Sequence, residues 1–181
     1  VPAQFSAEQL LKDTNELTPQ ELADRSSEAR SSLCSSPQAV YWHIQLAFVL
    51  LKMAKQSEST EAASKAISFC FRNGRIADAL FVYQTFQSDR AALKISGEQW
   101  MALGKASLAQ GMYADAAWCT YQGMQVLNAM EDINHHKAFL NVAHTAKEKG
   151  DLQQAQAIYR FYLKKFPNAS LADFVREQLG E

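Results

Sequence analysis

Three glycines recur along the chain at nearly constant spacing, and this period constrains the fold more than any other feature. Gly74 precedes Gly111 by 37 residues, and Gly111 precedes Gly150 by 39. Each glycine separates two segments in which apolar residues recur every three or four positions, the spacing of one helix face. Glycine enters the left-handed conformation that ends many helices without steric cost. We therefore predict that these glycines end helices and that the chain contains repeated helix pairs.

The composition favours helices over sheets. The 181 residues include 28 Ala but only 19 Val, Ile and Thr together, and β-branched residues are the ones that strands prefer. Apolar residues make up 48% and charged residues 20%, as in a globular domain that buries a core. The net charge of −1 gives no single-sign field that would indicate DNA, RNA or an anionic membrane as a partner. We expect an all-α protein with no nucleic-acid partner.

Signals for helix starts divide the chain into ten predicted helices. In a capping box, a hydroxyl accepts a backbone N–H and the side chain three residues later bonds back to the cap. Such boxes begin at Ser6, Thr18, Ser96 and Ser170. No segment alternates with the period of two that is typical of strands. The predicted helices span 7–14, 19–33, 37–56, 60–73, 76–88, 97–110, 113–129, 134–149, 152–166 and 171–179.

Further positions repeat at constant distances from the glycines. An apolar residue stands two places after each glycine, at Ile76, Tyr113 and Leu152. Alanine stands five places after each glycine, at Ala79, Ala116 and Ala155. A small residue at that place allows neighbouring helices to approach closely.

These positions resemble the consensus of the tetratricopeptide repeat (TPR) family. Trp100, Leu103 and Gly104 match the opening of the consensus, which Gly111, Tyr113 and Ala116 continue. The last repeat matches its close at Gly150, Ala155, Tyr159, Tyr162 and Pro167. An earlier, weaker repeat keeps Ala66, Gly74, Ala79, Tyr83 and Phe86. The period exceeds the roughly 34 residues of the family, so we expect longer connections within 89–94 and 128–134.

The resemblance implies a right-handed superhelical array of antiparallel helix pairs, a TPR-like α–α superhelix. It places three repeats at about 60–92, 97–130 and 136–169, and a capping helix at 171–179. The N-terminal helices, residues 1–56, are expected to include a divergent helix pair over 19–56 that packs on the array. Stacked pairs bury faces that a single pair leaves exposed, so we expect one continuous domain.

The predicted helix 37–56 is apolar on nearly all sides. Its most apolar stretch, residues 39–51, is interrupted by His43 and Gln45. This stretch is shorter than the roughly 20 apolar residues that a membrane-spanning helix needs. A helix of this kind is either buried on several sides or keeps one face for a partner, and both interpretations stay open here.

The cysteines and histidines indicate neither a metal site nor a catalytic site. Cys34, Cys70 and Cys119 are far apart, and neither CxxC nor HExxH spacing occurs. His135 and His136 are adjacent, so their side chains diverge on a helix, and we expect them at a helix start or on the surface. Nucleotide-binding glycine motifs and nucleophile motifs are missing from the sequence. We predict a non-catalytic protein without metal or cofactor.

In the TPR family, the first helices of the repeats line a concave groove that binds peptides or protein segments. The resemblance implies a partner-binding groove lined by Phe71, Arg72, Met101, Lys105, Leu108, Lys137, Asn141 and His144. It places Ser64, Lys65, Ser68, Leu140 and Lys147 on the same face. Because this set holds several cations, we expect a protein or peptide partner with an acidic or C-terminal carboxylate element. The alternative is an ordinary solvated helix face.

Three functions fit this sequence. The first is a protein–protein interaction module or assembly scaffold, and the second is a structural module that forms homo-oligomers. The third is a regulatory domain of a larger, membrane-anchored protein, considered because residue 1 is Val rather than Met. We expect a cytoplasmic location, with a soluble domain of a membrane-anchored or periplasmic bacterial protein as the alternative. No segment of this chain is expected to insert into a membrane.

Overall fold

A computed structural model describes residues 4–36 and 39–180, and every regular element in these ranges is a helix. The all-α prediction is therefore confirmed. The helices are α1 (Ala7–Asn15), α2 (Pro19–Ser35), α3 (Val40–Lys52), α4 (Gln56–Arg72), α5 (Ile76–Thr85), a 3₁₀ helix (Gln87–Ala92), α6 (Gly97–Ala109), α7 (Tyr113–Val126), α8 (Ile133–Glu148), α9 (Leu152–Lys165) and α10 (Ala172–Leu179).

Each of the ten predicted helices has a counterpart within the described residues, and the main differences lie at helix ends. The helix predicted over 37–56 ends at Lys52, and its predicted first residues, 37 and 38, lie outside the described ranges. The helix predicted over 76–88 ends at Thr85, and the 3₁₀ helix follows it. This 3₁₀ helix occupies much of the connection that we expected to be longer than in the family.

The three repeated glycines end helices as predicted. Gly74, Gly111 and Gly150 have φ values of 68°, 73° and 85°. At each of these turns the residue after the glycine donates its backbone N–H to a carbonyl five residues earlier, for example Arg75 to Cys70 at 2.9 Å. This is the Schellman motif. Ala54 and Asn128 form the same turn at φ values of 56° and 53°, although neither is glycine.

The backbone contacts divide the chain into two compact units. Unit 1 is Val1–Ile95 and unit 2 is Ser96–Glu181. The expected repeat 60–92 lies in unit 1 together with the N-terminal helices, whereas the expected repeats 97–130 and 136–169 lie in unit 2. Within the units, helices that follow one another in the chain pack together as pairs, including α3 with α4 and α6 with α7.

Helix α3 forms the centre of unit 1. Val40, Tyr41 and every residue from His43 to Leu50 are buried, and α3 packs against α1, α2 and α4. The first interpretation of this apolar helix, burial on several sides, is therefore confirmed. Gln45 is polar yet buried, and its Nε2 donates to Oγ1 of Thr14 in α1 at 3.1 Å, so its amide is partnered.

A small polar cluster attaches the N-terminal segment to the α4–α5 turn of unit 1. The guanidinium of Arg75 lies 3.7 Å from the centre of the Phe5 ring and donates to the Phe5 carbonyl at 2.6 Å. Its Nε also pairs with Oδ2 of Asp78 at 2.7 Å. Oδ1 of Asp78 accepts the backbone N–H of Ala7 at 2.6 Å, so a carboxylate bonds to the positive N-terminal end of α1.

Close helix crossings at glycines define the first pair of unit 2. A Cβ atom at Gly104 of α6 would lie 2.8 Å from Oγ1 of Thr120 and 3.2 Å from the carbonyl oxygen of Ala116 in α7. A Cβ atom at Gly123 would lie 2.6 Å from the sulfur of Met101. Helix packing rather than backbone conformation therefore favours glycine at position 104, whereas a side chain at position 123 would first displace the flexible Met101 side chain.

An aromatic cluster fills the second half of unit 2, where Phe139, Tyr162 and Phe166 are buried around His136. Nε2 of His136 lies 2.8 Å from the carbonyl oxygen of Met130, and its Nδ1 lies 2.8 Å from the Tyr162 hydroxyl. Because a carbonyl can only accept, we assign the proton to Nε2, so the Tyr162 hydroxyl donates to Nδ1. His136 is thus at a helix start, as expected, but it is a buried and bonded residue.

Candidate functional site

A cavity of unit 1 with a volume of about 710 Å³ runs along α4. We call it the α4 groove. It is lined by Ser57, Thr60, Glu61, Ser64, Lys65, Ser68, Phe69, Arg72, Ala92 and Lys94. Ser64, Lys65, Ser68 and Arg72 were all expected on the binding face, so the structure brings this part of the predicted set together.

Hydroxyl groups form one side of the α4 groove. Ser57, Thr60, Ser64 and Ser68 follow one another at steps of three or four residues and so share one helix face. Oγ1 of Thr60 donates to the Gln56 carbonyl at 2.7 Å. Oγ of Ser64 donates to the Thr60 carbonyl at 2.8 Å and accepts the backbone N–H of Lys94 at 2.9 Å. Ser64 therefore fixes the segment that carries Lys94 against α4.

The charges of the α4 groove are mostly positive. Among its described lining residues, Lys65, Arg72 and Lys94 face one carboxylate, Glu61. Nζ of Lys65 lies 2.6 Å from Oε1 of Glu61. This hydrogen bond, the charge of Lys65 and then that of Lys94 lower the pKa of Glu61, so Glu61 stays ionised at neutral pH. Three cations against one anion leave an excess of two positive charges for an acidic ligand.

Phe69 supplies the aromatic surface of the α4 groove. The guanidinium of Arg72 lies 5.2 Å from the centre of the Phe69 ring, a cation–π distance. The TPR resemblance implied Phe71 instead, but Phe71 is half-buried and is not among the residues that line the groove. Phe69 stands four places after Lys65 and three before Arg72, so the helical period of those cations could have identified it.

A second cavity of unit 1, which we did not predict from the sequence, lies among α2, α3 and α4 and has a volume of about 270 Å³. We call it the α3 cavity, because three residues of the buried helix α3 line it. It is lined by Arg30, Leu33, His43, Leu46, Leu50, Glu58, Glu61, Ala62 and Lys65. Arg30 and Glu58 form an ion pair at 2.5 Å beside the leucines. Such a site depends on residues from three helices, so no pattern within one helix predicts it.

A cavity of unit 2, about 390 Å³ in volume, lies beside α8 and has a different character. We call it the α8 groove. It is lined by Lys137, Leu140, Asn141, His144, Tyr159, Leu171 and Phe174. The first four were expected on the binding face. Leu171 and Phe174 belong to the C-terminal segment that we interpreted only as a cap, and Phe174 is 47% exposed. The α8 groove therefore offers mainly apolar surface.

The remaining predicted residues of unit 2 line neither groove. Met101 lies over Gly123 between α6 and α7, and Leu108 packs against the core of unit 2. Lys105 is exposed on α6. Lys147 donates to the side chain of Gln178 in α10 at 3.0 Å. The predicted face thus separates into a cationic set on α4 and a more apolar set on α8.

The thiols and carboxylates do not form a reactive cluster in the described ranges. Cys70 and Cys119 are buried and Cys34 is exposed, and they form no disulfide with one another. Burial raises the pKa of the Cys70 thiol to about 12, so it is protonated at neutral pH and a poor nucleophile. Within residues 4–36 and 39–180, no three His, Cys, Asp or Glu residues are grouped so as to hold a metal ion.

The chain matches no protein-family model, and no curated protein or solved structure matches it either. Among the described helices, none combines the length and the apolar character needed to cross a bilayer.

Proposed function

We propose that this protein is a non-catalytic interaction module or assembly scaffold that binds a peptide or protein segment with an acidic element. The observation that carries the proposal is the α4 groove, where Lys65, Arg72 and Lys94 outnumber Glu61 among the described lining residues. In this proposal the helix pairs belong to a TPR-like superhelical array. The module needs no cofactor, and its buried thiols suit the reducing cytoplasm.

The chemistry of the α4 groove supports an acidic partner over other ligands. Arg72 is held beside Phe69, so its guanidinium loses little freedom when it binds a carboxylate. Lys94 is positioned through the bond of its backbone N–H to Ser64. Cations at such a rim accelerate association and orient the partner, while apolar and aromatic contacts contribute most of the affinity.

Charge reversal in the α4 groove tests this function. The variant Arg72→Glu with Lys94→Glu is expected to lose binding to partners captured from source lysate and measured by mass spectrometry. The matched control, Lys149→Glu with Lys164→Glu, changes the net charge equally at exposed residues of unit 2 that line neither groove. It should keep the same partners, and circular dichroism should show unchanged helix content in both.

A second variant separates the two halves of the predicted face. Arg72→Glu with Lys105→Glu combines a residue of the α4 groove with an exposed lysine outside both grooves. We expect it to lose partners because of Arg72, and Lys105→Glu by itself to retain them.

If every partner remains bound to the variant Arg72→Glu with Lys94→Glu, the α4 groove is not the binding site.

A further inference from the structure

The α4 groove and the α3 cavity are neighbours that share a wall. Glu61 and Lys65 line both of them. The wall is continued by Phe69, which lines the groove, and by His43, which lines the cavity. These two rings are stacked with their centres 4.0 Å apart. A ligand group in the α4 groove is therefore separated from the α3 cavity only by the side chains of this wall.

The two spaces differ in chemistry. The α4 groove carries excess positive charge, whereas the charges around the α3 cavity are balanced within two ion pairs. Arg30 pairs with Glu58 at 2.5 Å, and Lys65 pairs with Glu61 at 2.6 Å. The rest of the cavity is lined by His43 and by the apolar side chains Leu33, Leu46, Leu50 and Ala62. An uncharged, apolar group suits this lining, because a charged group would lose hydration there without a free counter-charge.

The α3 cavity has room for an aliphatic side chain and is slightly smaller than the pockets that hold drug-sized molecules. Pockets for drug-sized molecules begin at about 300 Å³, and this cavity measures about 270 Å³. Its shared wall is also movable. The side chains of Lys65 and Glu61 are 58% and 71% exposed, and exposed ion pairs add little stability, so the pair can open with little loss.

We propose that the α3 cavity binds one aliphatic side chain, such as leucine, isoleucine or methionine, from the same partner segment whose acidic group lies in the α4 groove. This inference rests on the proposed function and specifies the partner further. An extended peptide advances about 3.3 Å per residue, and the cationic stretch from Lys65 to Arg72 covers about 10 Å of α4. The aliphatic residue therefore stands one to three positions from the acidic one.

Oriented peptide pools test both levels of the proposal. Each pool of octapeptides has a fixed Asp and, at one of three positions on either side, a fixed Leu, Ser or Lys, with the other positions degenerate. We expect pools with Asp to bind better than pools with Asn in its place. Among the Asp pools, we expect Leu at one particular offset to bind about 10-fold better than Ser, as for burial of one aliphatic side chain.

Cavity-filling variants locate the aliphatic preference. Ala62→Leu places added volume in the α3 cavity, and Leu33→Phe does so from a half-buried position on α2. Either variant is expected to remove the preference for Leu over Ser while the preference for Asp over Asn remains. Ala77→Leu, at an exposed position of α5, is the matched control and should change neither. Circular dichroism of the two filling variants identifies the one that keeps its fold for this comparison.

The outcomes separate the two proposals. A preference for Asp with equal binding of Leu and Ser pools at every offset overturns the aliphatic site and leaves the acidic groove standing. The same conclusion follows if folded filling variants keep the Leu preference. Equal binding of Asp and Asn pools overturns the proposed function itself, and the further inference fails with it.

Discussion

Unit 1 surrounds one apolar helix, whereas unit 2 brings neighbouring helices together at glycines. In unit 1, α3 is buried by α1, α2 and α4, and buried or half-buried polar contacts such as Gln45 with Thr14 connect the layers. In unit 2, Gly104 and Gly123 allow α6 and α7 to approach closely, and an aromatic cluster fills the space between α8 and α9. Small residues at helix crossings recur at regular positions in the sequence. A helix that is buried on several sides is apolar all round and shows no such periodicity.

The candidate sites differ in the same way. The α4 groove of unit 1 is cationic and hydroxyl-rich, whereas the α8 groove of unit 2 is mainly apolar. Residues that a sequence pattern assigns to one binding face therefore present different chemistry in the two units. Equivalent positions in a sequence pattern therefore do not specify which ligand a helix face suits.

The largest expected effects come from emptying each core. Phe48 of α3 and Phe139 of α8 are both fully buried, so Phe48→Ala and Phe139→Ala should each reduce the free energy of unfolding by about 3–5 kcal/mol. Hydrogen exchange read by mass spectrometry should show the main loss of protection in the unit that carries the change. An equal loss of protection in both units after either change would mean that the units unfold together. The structural difference between them would then not give them separate stabilities.

Overpacking the α6–α7 crossing should have a smaller effect. Ala116 is fully buried, and its carbonyl lies at the close approach to Gly104. Ala116→Leu is expected to cost about 1–3 kcal/mol in urea unfolding because the helices must separate. Ala114→Leu, at an exposed position of the same helix, is the control and should change stability little. An unchanged melting temperature for Ala116→Leu contradicts the repeat register.

The buried hydrogen bond of unit 2 predicts a response to alkaline pH. Burial raises the pKa of Tyr162 to about 12, so the folded state disfavours the phenolate. This contribution to stability is complete below pH 10, the usual pKa of tyrosine, and is lost as the pH rises towards about 12. Tyr162→Phe cannot ionise, but it leaves Nδ1 of His136 without its donor, at a cost of about 1–2 kcal/mol.

Urea unfolding at pH 8 and pH 11 checks this prediction. The wild type should be more stable than Tyr162→Phe at pH 8, and the difference should shrink at pH 11. A difference that stays constant between the two pH values would show that Tyr162 ionises normally in the folded unit.

The smallest expected effects compare two helix-ending turns of the same geometry. Ala54 in unit 1 and Gly111 in unit 2 both have positive φ. Ala54→Gly should therefore stabilise unit 1 by about 1 kcal/mol, because glycine removes the strain of the left-handed conformation. Gly111→Ala should cost a similar amount, since a Cβ atom there would meet nothing closer than 3.9 Å. Thermal unfolding measures both, and the same sign for both changes would contradict this account.

The sequence predicted the helices well because their signals are local. Of the four predicted capping boxes, those at Thr18 and Ser96 form. Ser6 caps α1 through its hydroxyl alone, and the box predicted at Ser170 was wrong, because α10 follows Leu171 without a side-chain cap. Gly74, Gly111 and Gly150 form the predicted turns. The early end of α3 was missed because Ala54 adopts a conformation that alanine rarely takes. Of the residues predicted for one binding face, Arg72 lines the α4 groove and Lys137, Asn141 and His144 line the α8 groove. Met101 lies over Gly123, and Leu108 packs against the core of unit 2.

The helical class, the order of the helices and most of their ends therefore follow from the sequence, because capping, glycine turns and apolar period act over a few residues. The cavities and the buried contacts between those helices depend on the tertiary structure. The α3 cavity joins Leu33, Leu46 and Ala62 from three helices, and the His136–Tyr162 bond joins residues 26 positions apart. Such contacts depend on how helix faces meet, and a pattern within one helix does not contain that information.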